Sequence, residues 1–210
     1  MSWADPIHAD TIPKGKITGV ILAGGRATRM GGMDKGLVVL NGIPMLEHIL
    51  VTLRPQVSDV LINANRNIER YANYGYKVVP DMLGDYFGPL AGMASAMQAA
   101  GTEYILTVPC DSPLLPPDLA VRLAAALTRD QADISVAHDG GRMQPVFSLL
   151  RCNLLASMLA YLESGERKID LWYARHKLAI ADFTDSPETF LNVNTPEDRA
   201  ELEAKLAKAG

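Results

Sequence analysis

Short apolar runs and helical-spaced apolar stripes alternate along the first part of the chain. Ile17–Ala23 (ITGVILA) is a β-branched, apolar run of buried-strand length that stops at Gly24-Gly25. Asp59–Asn63 (DVLIN), Lys77–Val79 and Glu103–Val108 (EYILTV) repeat that pattern. Between them lie helical patterns: Leu46, Ile49, Leu50 and Leu53, with Pro44 expected as the first helical residue, then a short helix over Glu69–Tyr74, and longer ones over Pro89–Ala100 and Pro117–Leu127. Leu37–Leu40 is a further apolar run, closed by the Asn41-Gly42 turn. Strand and helix thus alternate over roughly the first 130 residues, which predicts a parallel sheet with helices on both faces.

The pattern then changes. Ile134–Ala137 and Met143–Leu150 read as two strands joined through Asp139-Gly140-Gly141, a hairpin signal. Asn153–Leu162 is a helix, and Thr195-Pro196-Glu197-Asp198 opens a last one with a Thr cap, an early Pro and acids in its first turn. The predicted class is α/β: three layers around a mostly parallel, Rossmann-like sheet, with antiparallel additions in the second half. One domain is expected over 17–210, divided into halves at about residue 130. Residues 1–16 (MSWADPIHADTIPKGK) hold two acids, two prolines and no apolar segment, and read as a disordered leader without a secretory signal.

Composition narrows the partners. The 210 residues are 48% hydrophobic and 21% charged, which is ordinary for a globular chain. The formal charge of −4 argues against nucleic acid or an anionic membrane as a partner. No stretch reaches the ~18 consecutive apolar residues of a membrane span. Cys110 and Cys152 are too few for a disulfide framework and lack zinc-ligand spacing, so a reducing, cytoplasmic setting is expected.

The candidate chemistry begins where the first strand ends. Gly24–Gly36 (GGRATRMGGMDKG) has five glycines in thirteen residues, interleaved with Arg26, Arg29 and Lys35. Glycines let backbone N–H groups approach an anion, and interleaved cations neutralise phosphate charge. A loop at the carboxyl end of a strand lies where open α/β sheets bind ligands. A triphosphate cradle follows, against the alternative of a merely mobile surface loop. Neither G-x-x-x-x-G-K-[ST] nor G-x-G-x-x-G is present, which excludes a P-loop and leaves a dinucleotide site unsupported. Asp111 follows an apolar strand and precedes Ser112-Pro113; its carboxylate suits Mg²⁺, which takes few protein oxygens and completes its shell with phosphates and water, against the alternative of an Asp that merely makes the turn before Ser-Pro.

Leu22–Leu37 (LAGGRATRMGGMDKGL) resembles the signature of nucleotidyltransferases with the GT-A-like, sugar-nucleotide pyrophosphorylase fold, most closely the molybdenum cofactor guanylyltransferases. Pro80-Asp81, Gly84 and Gly88–Gly92 resemble the family's second nucleotide loop, and Val108–Pro113 its metal-binding turn. Gly141–Val146 and Asn192–Pro196 resemble its later segments, so the likeness runs from Ile17 to about Leu206.

The resemblance implies transfer of GMP from GTP to the terminal phosphate of molybdopterin or the molybdenum cofactor, with release of pyrophosphate and with Mg²⁺ as cofactor. It implies a GTP site formed by Leu22, Ala23, Gly24, Gly25, Arg26, Lys35, Asn63, Asp81, Gly88, Gly92 and Asp111, with Asp111 as metal ligand. Lys35, Arg29 and Asp111 are the catalytic candidates, since a transferred nucleotidyl group gathers negative charge. Asp81 is suited to accept hydrogen bonds from guanine N–H groups, and Asn63 to meet base or ribose, against the alternative that the two are ordinary turn and strand-end residues. Candidates for the acceptor site are Arg142, Gln144, Arg167, Lys168, Asp170, Asn192 and Asn194, with the Trp172 indole beside them as either a ring platform or a packing residue. One of the two asparagines is a candidate second metal ligand. The first half is expected to bind GTP and the second the acceptor. A molybdenum-insertion protein, a chaperone or an apo-molybdoenzyme is implied as the recipient of a labile pterin product. Two rivals remain: a cytidylyltransferase or sugar- or polyol-phosphate nucleotidyltransferase of the same fold, and a non-catalytic nucleotide-binding module. Gly25, where cytidine-specific relatives tend to carry alanine, favours guanine.

Overall fold

The computed structural model describes residues 12–24, 34–84 and 88–209, with side chains through Leu206. In chain order the strands are β1 (Ile17–Leu22), a small hairpin of β2 (Val39–Leu40) and β3 (Ile43–Pro44), β4 (Asp59–Asn63), β5 (Lys77–Val79), β6 (Tyr104–Pro109), β7 (Ile134–His138), β8 (Met143–Arg151) and β9 (Leu178–Asp182). The helices are α1 (Met45–Leu53), α2 (Ile68–Ala72), α3 (Pro89–Ala99), α4 (Leu119–Arg129), α5 (Leu155–Glu163), α6 (Ile169–Tyr173) and α7 (Pro196–Ala209).

Seven strands form one sheet in the order β5-β4-β1-β6-β8-β7-β9. Only β8 runs against the rest: it is antiparallel to β6 and β7, while β7 and β9 run parallel. The register aligns the carboxyl ends of the central strands, with Leu22 opposite both Asn63 and Pro109. A single sheet edge therefore collects the turns that follow β1, β4, β5 and β6. Alternation along the strands sends Ile17 and Ile21 to one face, under Leu46, Ile49 and Leu53 of α1 and Leu119, Leu123 and Leu127 of α4. It sends Val20, Leu61 and Ile105 to the other face, under Leu90, Met93 and Met97 of α3, Met158 of α5 and Trp172 of α6. Three layers result, as the alternating pattern predicts. A third cluster of Val38, Leu40, Met45, Val193 and Leu202 binds α7 to the small hairpin.

The predicted antiparallel pair is present, with Ile134 opposite Leu150 and a bulge between Val136 and Ala137. The last helix is capped as predicted: Thr195 Oγ1 accepts the Asp198 N–H at 3.1 Å, and Asp198 Oδ2 accepts the Asn194 and Thr195 N–H groups at 2.9 Å each. These backbone donors hold the Asp198 carboxyl below its ordinary range.

Three expectations are corrected and one strand is added. Pro44 is not the first helical residue; it pairs with Val39 in the small hairpin and caps α1, which starts at Met45. The short second helix covers Ile68–Ala72, because Asn67 at φ 51° starts it early and the Gly75 turn at φ 80° follows it. The leader is already folded at Ile12, which packs on the core, and Lys16 pairs with Glu103 at 2.8 Å; residues 1–11 lie outside the described residues. Finally, β9 was not expected. Its five residues alternate too briefly to stand out, and it forms only because parallel pairing with β7 buries Ala179 and Ala181.

Trp172 is fully buried, and its Nε1–H donates to Ser157 Oγ at 3.3 Å. The indole is part of the core and presents no face to a ligand. Trp172→Ala should cost about 3–5 kcal/mol by urea denaturation, the range for deleting a large buried aromatic.

Candidate active site

Lys35 reaches across the sheet edge from a single 3₁₀ turn over Lys35–Leu37. Its Nζ donates to Asp111 Oδ2 at 2.9 Å and to Asn194 Oδ1. The side chains are only 23% and 15% exposed, so this ion pair is partly desolvated. Asp111 stands just past β6, and the Val193 N–H donates to its main-chain oxygen at 2.8 Å, tying the two loops together. Ser112 Oγ donates to Asn192 Oδ1 in the same seam. Both asparagines thus join the Lys35–Asp111 side of the crevice.

The other carboxylate oxygen of Asp111, Oδ1, is buried with no hydrogen-bond partner. Buried polar atoms are paired in the great majority of cases, so an orphaned carboxylate oxygen signals a missing cation or donor. The donor fits Mg²⁺, a hard ion commonly held by one or two carboxylates plus substrate oxygens. No group of three or more His, Cys, Asp or Glu gathers among the described residues, so a cation here would rely on substrate oxygens for most of its shell.

What aims Lys35 is the residue before it. Asp34 is 6% exposed and points inward, accepting from the Tyr71 hydroxyl and, at 3.2 Å, from Asn67 Nδ2. Burial, reinforced by Cys110 and Asp34, pushes the Tyr71 phenol well above its usual range, so it stays a neutral donor. Gly36 closes over this pair: a Cβ there would lie 2.7 Å from the Tyr71 hydroxyl and 3.4 Å from Cys110 Cβ. Burial likewise drives the Cys110 thiol far above its ordinary value, which makes it an inert packing group.

A second cluster sits across β1. Asn63 Nδ2 donates to Val79 O at 3.0 Å and to Asp81 Oδ1 at 2.8 Å. Asn65 Nδ2 donates to Asp81 Oδ2 at 2.8 Å, and the Asp81 N–H donates back to Asn65 Oδ1 at 2.8 Å. Ala23 N–H bonds Asn63 O at 2.8 Å, which fixes the end of β1 against the same turn. A Cβ on Gly24 would lie 3.3 Å from Asn63 Oδ1 and from Asn65 Nδ2. Gly92, in α3, leaves room for the buried Asn63 amide, since a Cβ there would meet Asn63 Oδ1 at 2.2 Å. Leu22, Ala23, Gly24, Lys35, Asn63, Asp81, Gly92 and Asp111 therefore share one edge. Gly25, Arg26 and Arg29 lie outside the described residues.

The remaining candidates are more dispersed. Gln144 is buried, and its Nε2 donates to Asp139 Oδ2 at 2.6 Å. Asp139 also accepts the Arg142 and Gly141 N–H groups at 2.8 Å, which hold its carboxyl below the usual range. Gln144 thus braces the hairpin, while the Arg142 side chain is exposed. Arg167 Nη1 donates to Leu162 O and Glu166 O at 2.6 Å each, and its main-chain oxygen lies 4.0 Å from where a Gly88 Cβ would stand. Lys168 and Asp170 are exposed at the start of α6. Sequence reading missed Asp34, Tyr71 and Asn65. Asn65 alone left a trace, as the second amide of the Asn63-Ala64-Asn65 triplet just past a predicted strand.

Comparison with known proteins identifies the family. A family profile described as the MobA-like NTP transferase domain matches residues 19–178. A protein of Shewanella halifaxensis named molybdenum cofactor guanylyltransferase is 53% identical over 192 residues, covering 91% of this chain and 96% of the relative. One of the same name from Shewanella sediminis is 54% identical, covering 92% and 98%. Among solved structures, the molybdopterin-guanine dinucleotide biosynthesis protein A of Archaeoglobus fulgidus superposes with a TM-score of 0.77 at 20% identity, covering 91% and 99%. A nucleotidyl transferase from Methanothermobacter thermautotroptrophicus gives 0.73 at 20% identity, covering 92% and 99%. With the profile spanning most of its length and relatives above half identity along nearly all of it, the chain belongs to the MobA-like NTP transferase domain family.

Proposed function

We propose that this protein is a guanylyltransferase of molybdenum cofactor synthesis, transferring GMP from GTP to the terminal phosphate of molybdopterin or its metal-loaded form. The observation that supports it best is Lys35 bonded to both Asp111 and Asn194 at the carboxyl edge of the sheet. The names carried by relatives at 53–54% identity supply the substrate class.

The chemistry asks little of the protein in acid–base terms. A phosphate monoester is largely ionised near neutrality, with a second pKa near ~6. Its oxygen attacks the α-phosphorus of GTP; the bond from that phosphorus to the bridging oxygen breaks, and the electron pair leaves on pyrophosphate. Lys35 neutralises charge that grows on the non-bridging and leaving oxygens. Asp111 would hold Mg²⁺ through Oδ1, and the ion would supply further neutralisation of the triphosphate. Asn194 keeps the ammonium of Lys35 directed along the crevice. Leu22, Ala23 and Gly24 offer backbone groups to the nucleoside, and Asp81, braced by Asn63, accepts from the guanine edge. Arg26 and Arg29 are assigned to the phosphates, with Gly88 and Gly92 lining the nucleotide loop.

The acceptor is assigned to the second half of the chain. Arg167, Lys168 and Arg142 bring positive charge for the pterin phosphate, with Asp170 and Asn192 at its margin. Gln144 contributes by holding the Asp139 turn in shape. The product is expected to pass to a molybdenum-insertion protein, a chaperone or an apo-molybdoenzyme.

Purified protein given Mg²⁺, molybdopterin and each NTP in turn should release pyrophosphate with GTP; release with CTP alone would overturn the base assignment. Asp111→Asn should lower kcat about 10²–10³-fold and raise the Mg²⁺ concentration for half-maximal rate, read by titrating the ion. Tyr71→Phe removes a donor from buried Asp34, so stability should fall by roughly 1–3 kcal/mol in urea. In the same variant kcat should fall more than GTP affinity, as Lys35 loses its fixed approach.

A further inference from the structure

We propose that Asn65 sets the preference for guanine by holding the Asp81 carboxylate in one plane, a role that rests on the guanylyltransferase reading above. The hydrogen bonds assign the amide without ambiguity. A backbone N–H can only donate, so the 2.8 Å contact from Asp81 N places Asn65 Oδ1 there and leaves Nδ2 facing Asp81 Oδ2. A carbonyl can only accept, so Val79 O fixes the Asn63 amide in the same way, with Nδ2 toward Asp81 Oδ1. Each carboxylate oxygen thus receives one amide donor.

The two donors differ in kind. Asn63 is buried under Gly92, where a Cβ would come within 2.2 Å of its amide oxygen, and so belongs to the scaffold. Its contact with Asp81 Oδ1 restrains χ2, a broad torsion, through a single hydrogen bond. Asn65, half-buried beyond the end of β4, supplies a second point and tightens that restraint, so that the carboxylate plane is held from both sides. A carboxylate offers about four lone-pair sites, and two remain as acceptors.

A plane of two acceptors suits guanine among the common bases. Its N1–H and 2-amino group are adjacent donors that pair with the two carboxylate oxygens as a fork. Adenine and cytosine each present an acceptor nitrogen at the matching ring position, and uracil flanks its one N–H with carbonyls, so all three set acceptor against acceptor. The two parallel bonds form together only if the carboxylate plane is fixed. The trio is within reach of the nucleoside: the start of the glycine-rich segment abuts it, with a Gly24 Cβ position 3.3 Å from Asn65 Nδ2. Asn65 acts through Asp81 and is a positioning residue.

Inosine triphosphate keeps N1–H and lacks the 2-amino group, so it reads the fork directly. Titration calorimetry with GTP and ITP, each with Mg²⁺, should show the unaltered protein binding GTP about tenfold or more tightly, as one lost charge-assisted bond implies. Asn65→Asp keeps an acceptor for the Asp81 N–H but replaces the amide donor with a second carboxylate; Asn65→Ala removes both contacts. Both variants should lose most of the GTP-over-ITP ratio, through weaker GTP binding and nearly unchanged ITP binding, while kcat at saturating GTP stays within about twofold. If Asn65→Asp retains the full ratio, or if both nucleotides weaken together alongside a lowered melting temperature, Asn65 is a structural residue and the proposal falls while the guanylyltransferase reading stands. If the unaltered protein fails to prefer GTP over ITP, the guanine role of Asp81 falls, and this proposal with it.

Discussion

The structure depends on holding a lysine and an aspartate together at an open sheet edge without letting them cancel each other. Lys35 and Asp111 are 76 positions apart in the chain and meet at 2.9 Å. A simple surface ion pair would be worth under about 1 kcal/mol and would place neither group with precision. Here each partner is fixed by something else. Lys35 follows Asp34, whose carboxylate is drawn inward by Tyr71 and Asn67, and Asp111 stands two residues past a strand whose register with β1 is set by six backbone pairs. Only one oxygen of Asp111 faces the ammonium; the other stays buried and unpartnered. Attraction aligns the pair, while the scaffold keeps capacity in reserve for a ligand.

That arrangement has a stability cost. Asp34 is 6% exposed, and burying a carboxylate is tolerated only when its oxygens are bonded. The Tyr71 hydroxyl and Asn67 amide meet that need, and Gly36 is the residue that lets the backbone close over the phenol. The same logic recurs across β1, where Gly92 gives the Asn63 amide its space and Asn63 in turn bonds Asp81. Two glycines thus act through the side chains they admit.

Much of this fold was legible from period alone. The parallel strands Ile17–Leu22, Asp59–Asn63 and Lys77–Val79 appear close to their predicted bounds, because buried parallel strands are written as apolar runs. The edge strand β9 was hidden: two of its five residues face solvent, and its partner β7 lies some 40 positions upstream. In the site, Lys35, Asp81 and Asp111 were visible because charge beside glycine or at a strand end is a local signal. Tyr71 was not, since a phenol in a short helix looks like any packing aromatic until Asp34 arrives from a distant turn.

The proposed division of labour between the halves is consistent with sheet direction. Strands β1, β4, β5 and β6 all deliver their carboxyl ends to the Lys35 and Asp81 clusters, the segments to which the proposal assigns the nucleotide. β8 enters in reverse between β6 and β7, so its amino end, carrying Gln144, starts at the edge where β6 finishes. A parallel strand there would need a crossover helix over the crevice; the reversed strand needs only the Asp139 turn, which is tied off by three hydrogen bonds. The reversal therefore brings second-half residues to the Lys35 and Asp111 edge through a tight turn, which is the geometry the proposed two-substrate transfer asks for.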